Sequence, residues 1–105
     1  MSETEFIELA EATLAAIERA VDGTSVDIEA ARTGNVLTLE LDNGSKVVIN
    51  SQAPMQQMWV AGKSGAFHYS RDGNQWLDTR NGSELFAALS QLISAQGGEA
   101  VMLRD

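Results

Sequence analysis

Cysteine is absent from this chain of 105 residues. Disulfides, zinc–thiolate sites and iron–sulfur clusters held by this chain alone are therefore excluded. A chain without disulfides suits a reducing compartment. His68 is the only histidine and Pro54 the only proline. With no second His, no Cys and no Ser–His–Asp set, nothing supports nucleophilic or acid–base catalysis. No Gly-rich phosphate loop leads from a strand into a helix. No run approaches eighteen apolar residues and no basic-then-apolar leader opens the chain. Neither a membrane span nor a secretory signal is expected, and the cytoplasm is the expected compartment. No catalytic residues are assigned, and the protein is not expected to be an enzyme.

Basic residues are scarce too. Seven Lys and Arg stand against fifteen Asp and Glu, for a net charge of −8. The imbalance is local: residues 1–42 hold ten acids and two bases, whereas residues 43–105 hold five of each. Such a field repels nucleic acid and anionic membranes and attracts cations or basic protein surfaces.

What is present reads as one domain, residues 1–105, able to bury roughly two-thirds of its unfolded surface. Ser2-Glu3-Thr4-Glu5 is a capping box. Phe6, Leu9, Ala10, Leu14, Ile17 and Val21 follow at helical spacing, which predicts a helix to Asp22 that Gly23 stops. Thr13 falls inside that stripe, placed to bond back to the preceding turn. The period then changes to two. Strands are expected at Val26–Ala30, Val36–Leu41, Lys46–Asn50, Met58–Ala61, Ala66–Arg71 and Gln75–Asp78, with Asn43-Gly44 as the clearest hairpin turn. Asn81-Gly82-Ser83-Glu84 restarts a helix carrying Leu85, Phe86, Leu89, Leu92 and Ile93, which Gly97-Gly98 ends. Ala100–Leu103 is a short apolar tail expected to pack down. The fold class is α+β: a two-layer sandwich, with N- and C-terminal helices on one face of a five- to six-stranded antiparallel sheet. The other face is open to water.

Two surfaces follow. On an ideal wheel of roughly 100° per residue, Glu8, Glu11, Glu18 and Asp22 fall within about 80° of one another. Asp27 and Glu29 extend the acidity onto the first strand. Like charges one turn apart cost roughly 0.2–0.5 kcal/mol per pair, so the stripe is held at some expense to stability. It reads as a solvated face, as a weak site for hard cations, or as a surface for a basic partner; the same residues serve all three. The second surface comes from NSQAPMQQMWVAG, residues 50–62. Alternation turns Met58 and Val60 toward the helices and leaves Gln57 and Trp59, with Asn50 and Gln52, on the open face. Trp59 there is either a binding anchor or an indole lying flat over cross-strand neighbours. His68, flanked by Phe67 and Tyr69, points outward without a partner for chemistry; axial haem or metal ligation is the alternative. Trp76 reads as core.

Taken together, these features resemble the bacterial frataxin (CyaY) family. The resemblance is carried by Asn50-x-Gln52-x-Pro54-x-x-Gln57-Met58-Trp59-Val60, then Gly65 and Phe67-His68-Tyr69. Val36-Leu37-Thr38, Asp42-Asn43-Gly44-Ser45-Lys46 with Ile49-Asn50, and Asp72-Gly73-x-x-Trp76 support it. It implies an iron-binding accessory and regulatory protein of iron–sulfur cluster assembly, with weakly bound ferrous or ferric iron and no intrinsic cluster. The implied iron residues are Glu11, Glu18, Asp22, Asp27 and Glu29. Asn50, Gln52, Gln57 and Trp59 would face the cysteine desulfurase and the scaffold protein. A monomer is expected, with metal-induced oligomers in view. The sequence departs from the family where Arg19-Ala20 follow Glu18 and Gly23-Thr24-Ser25 stands in place of aspartates, which implies a lower iron capacity. A metal-independent acidic interaction module and a ferroxidase are the competing readings; the Glu-x-x-His pairs of di-iron sites are absent.

Overall fold

Helix α1 occupies Glu3–Asp22 of the computed structural model, which describes residues 1–104. The capping box forms as expected. The Ser2 hydroxyl accepts the Glu5 N–H at 3.1 Å and the Glu5 carboxylate accepts the Ser2 N–H at 3.0 Å. That backbone N–H first, and the hydroxyl second, hold the Glu5 carboxyl below the usual carboxylate range. The helix ends at Asp22 with Gly23 as its C-cap, as expected, but not through a left-handed glycine. Gly23 keeps a right-handed backbone, φ −84°, so its freedom of conformation does not end the helix. Thr24 does: its hydroxyl accepts the Val26 N–H at 2.8 Å, which competes with helical bonding.

Six strands follow in sequence order: β1 (Ile28–Thr33), β2 (Val36–Leu41), β3 (Lys46–Gln52), β4 (Gln57–Gly62), β5 (Gly65–Asp72) and β6 (Gln75–Asp78). Each pairs antiparallel with the next to form one sheet. β1 starts two residues later than its alternation suggests, because the Thr24 turn takes up Val26 and leaves Asp27 outside the strand. Between β2 and β3 the Gly44 N–H donates to the Leu41 carbonyl at 2.9 Å, and Gly44 adopts φ +83°, open to residues without a Cβ. Between β3 and β4, Pro54 sits in a 3₁₀ turn, Ala53–Met55. Helix α2 spans Leu85–Gly97, with the Glu84 carboxylate accepting the N–H groups of Phe86 and Ala87. Asn81, Gly82 and Ser83 stay outside it, because their N–H groups donate to the Asp78 carboxylate, the Asp78 carbonyl and the Asn81 side-chain oxygen. Gly98, at φ +80°, ends α2. The tail packs down as expected: the Val101 and Leu103 N–H groups donate to Ser94 and Ser90 hydroxyls, each at 2.8 Å.

One apolar cluster joins both helices to the same face of the sheet. Leu37, Leu39, Val47, Ile49, Met58 and Val60 supply its floor, each almost wholly buried. Trp76 closes one end. Its ring meets Phe6 edge-on, centroids 5.9 Å apart, and its Nε1–H donates to the Thr13 hydroxyl at 2.9 Å. That hydroxyl donates in turn to the Leu9 carbonyl at 2.8 Å. A single threonine thus satisfies the buried indole from within the helix.

Thr13→Val keeps the shape but strands the indole N–H. We expect a loss of about 1–3 kcal/mol in urea unfolding, with Thr13→Ser close to the parent. A second expectation concerns alkali. Burial, then the charges of Asp78 and Glu84, push the Tyr69 hydroxyl up to about 12. The unfolded chain releases that proton near pH 10 and the folded chain does not. Tyr69 therefore contributes stability that is intact below pH 10 and is lost as the pH rises from about 10 to 12. Ultraviolet titration of tyrosinate should show the delayed ionisation, ending with unfolding.

Candidate functional site

The acidic flank is built by α1 and the neighbouring edge strand. Glu8, Glu11 and Asp22 on α1, Asp27 just before β1 and Glu29 on it are exposed, and Glu18 is half-buried. Glu18 and Asp22 line one shallow groove together with Ile28 and Ala30. The stripe is nevertheless not a bare row of like charges, as its composition suggests. Arg32 shares the helix-facing side of β1 with Ile28 and Ala30, and its guanidinium reaches α1. One terminal N–H donates to Glu18 at 3.2 Å and the other to Glu11. Nothing in the spacing of Arg32 along the sequence announces this, because the two glutamates lie 21 and 14 residues away.

Register adds an acid that the helical wheel does not show. Glu29 lies directly opposite Glu40 on β2, a like-charge cross-strand pair, with Lys46 of β3 as the next neighbour. The outer end of β1 and β2 thus continues the negative field. Among the described residues, no three His, Cys, Asp or Glu converge as a group able to hold a metal ion. The carboxylates form a line along a flank, not a cage. Chemically, such a line attracts hard cations or basic side chains, retains their water and selects poorly among them.

The sheet surface is assembled by pairing. Asn50, Trp59 and His68 sit abreast across β3, β4 and β5, with Gln52, Gln57 and Ser70 in the next row. All four polar or indole residues singled out in the sequence therefore come together. The Trp59 Nε1–H donates to the Gln57 side-chain oxygen at 2.9 Å, and the Gln52 amide donates to Asn50 at 2.7 Å. Trp59 lies parallel to His68, 4.2 Å between ring centroids at 7°. The flat reading of Trp59 is realised: it stacks on a cross-strand neighbour, and the stack forms part of a half-buried platform on the open face. His68 belongs to this platform, which alternation alone hinted at without naming its partner. Gln56, just before the second row, holds a left-handed backbone at φ 51°, the one non-glycine residue to do so among those described. Pro54 and this residue reverse the chain between Gln52 and Gln57.

The family model for the frataxin-like domain matches residues 1–99. The iron–sulfur cluster assembly protein CyaY of Janthinobacterium sp. (strain Marseille) is 54% identical over 110 aligned residues, covering 100% of this chain and 98% of its own. Among solved structures, frataxin from Psychromonas ingrahamii, of the CyaY protein family, superposes with a TM-score of 0.92 at 34% identity, covering all of both chains. A trimeric frataxin from the yeast Saccharomyces cerevisiae, complexed with ferrous iron, superposes at 0.68 with 24% identity over 94% of this chain and 88% of its own, a likeness of fold.

The two faces of β4 differ sharply in what they contribute. Met58→Ala empties the core and should cost about 2–5 kcal/mol. Trp59→Ala removes a half-buried stack on the open face and should cost about 1 kcal/mol. Paired thermal melts test the contrast; an equal loss at both positions would place Trp59 in the core.

Proposed function

The chain belongs to the frataxin-like family, in its bacterial CyaY branch, and on that premise we propose that it is an iron-binding accessory and regulatory protein of iron–sulfur cluster assembly. It acts in the cytoplasm as one domain, residues 1–105, and is not an enzyme. Iron is cargo: ferrous or ferric ions associate weakly with Glu11, Glu18, Asp22, Asp27 and Glu29, and no cluster resides in the protein. Asn50, Gln52, Gln57 and Trp59 meet the cysteine desulfurase and its scaffold. The protein works as a monomer, with oligomers forming when metal accumulates.

The observation that carries this reading is the separation of two surfaces on one small body. The acids gather on the α1–β1 flank, while the row across β3, β4 and β5 displays amides, an indole and an imidazole. Carboxylate oxygens suit iron as a hard, weakly held and still hydrated ion. The platform suits a protein, because an indole with its N–H already satisfied by Gln57 offers broad apolar area at little desolvation cost. A second reading, an acidic interaction module that needs no metal, is favoured by the lack of a three-ligand group among the described residues. Its acids would meet a basic protein surface directly.

Amide NMR during separate titrations with ferrous iron and with a cysteine desulfurase distinguishes the two. The proposed function predicts iron-induced broadening along α1 and β1, and desulfurase-induced shifts that include Trp59. Ferrous iron should also raise the melting temperature beyond sodium chloride at equal ionic strength, since a ligand at 100 times its dissociation constant adds about 2.7 kcal/mol. No gain over the salt control would leave the metal-independent module standing.

A further inference from the structure

Two glutamates of α1, seven residues apart, turn toward one positive centre, and that centre belongs to this chain. Glu11 and Glu18 are separated by two helical turns, about 10.5 Å along the axis. Their carboxylates nevertheless converge on the two terminal nitrogens of the Arg32 guanidinium. The third nitrogen, Nε, donates to the Gly34 carbonyl in the β1–β2 turn at 3.3 Å. Gly34 holds φ +58° in that turn. Arg32 sits on an edge strand, paired on one side only, with Leu37 of β2. It is one of only two bases among residues 1–42. It is also the only base in an ion pair among the described residues.

Resting on the iron-binding reading above, we propose that Arg32 is a tethered competitor cation that occupies Glu11 and Glu18, so that a divalent cation gains the helical half of the acidic flank only by displacing it. The physical argument is one of competition within a single molecule. A ligand that binds only the open form has its affinity reduced by the fraction of time the form is open. The guanidinium is fixed nearby by its strand and by Gly34, so its effective concentration at the two carboxylates is high. It is also removable. The side chains of Arg32, Glu11 and Glu18 are 23%, 53% and 36% exposed, and pairs so open to water are each worth only a factor of roughly one and a half to five. A cation entering the carboxylates sends the guanidinium outward into water with no covalent change and no trapped charge. Asp22, Asp27 and Glu29 have no such occupant among the described residues. The first ion is therefore received at the C-terminal end of α1 and at β1, and the helical half fills only at higher metal concentration. Salt weakens the clasp and narrows the difference between the two halves.

The test titrates ferrous chloride anaerobically, at constant ionic strength, into the parent protein, Arg32→Gln, Arg32→Lys and Lys63→Gln. Calorimetry reads the affinity and amide broadening reads the place. Lys63→Gln removes the same charge from the β4–β5 turn. We expect Arg32→Gln to bind about three- to tenfold more tightly, with new broadening at Glu11 and Glu18. Lys63→Gln should stay within about twofold of the parent. Arg32→Lys, which keeps the charge but loses the fork, should fall between, and it decides the matter against Lys63→Gln if Arg32→Gln does not fold. Equal affinity in the parent and the Arg32 variants, or the same gain in Lys63→Gln, would overturn the tethered competitor and leave iron binding intact. No localised broadening in any of the four proteins would overturn the iron-binding reading, and the competitor with it.

Discussion

A six-stranded sheet offers two faces, and both helices of this chain lie on one of them. That constraint governs the rest. Every strand must send alternate side chains into the apolar layer under α1 and α2 and the others into water. Along β4 the result is Met58 and Val60 buried, alternating with Gln57 and Trp59 on the outer face. A large aromatic residue on the wet face is the by-product of strict alternation, and pairing with His68 and Gln57 makes it orderly. Trp76 obeys the same rule with the opposite outcome. It faces inward and needs Thr13 to accept its N–H, because a buried donor without a partner is costly.

Electrostatics lies on top of this frame without determining it. The acids of α1 occupy the side of the helix that the core does not use, and Glu29 and Glu40 occupy the outer face of the edge hairpin. Repulsion among them is a standing cost, relieved at one place by Arg32. The flank is thus neither uniform nor fully paired. One half is clasped by an arginine, and the other presents Asp22, Asp27 and Glu29 to solvent.

Much of this was legible in the residues. Capping at Ser2, the back-bonding of Thr13, the inward turn of Trp76 and the burial of Val101 and Leu103 each follow from local chemistry or periodicity, and each is present. The resemblance to bacterial frataxins rested on a spaced motif of which Asn50, Gln52, Gln57 and Trp59 do lie side by side. Where expectation and structure part, a short-range competitor is the reason. Thr24 draws the Val26 N–H away and delays β1; the Asp78 and Asn81 side chains capture the Asn81 and Ser83 N–H groups and delay α2. Glycine and alternation signals carry no information about such side-chain captures.

By itself the sequence determined the element order, which face of each element is apolar, the concentration of negative charge near the amino terminus and the family. These are properties of neighbours along the chain, set by a period of two or of 3.6. Only the tertiary structure decided which residues meet across strands and between layers: Trp59 on His68, Glu29 against Glu40, and Arg32 on Glu11 and Glu18. Those contacts depend on strand register and on where α1 crosses the sheet edge. Within a hairpin the register follows from turn type and loop length, which alternation does not supply, and the reach of Arg32 to α1 depends on how the helix packs against the sheet.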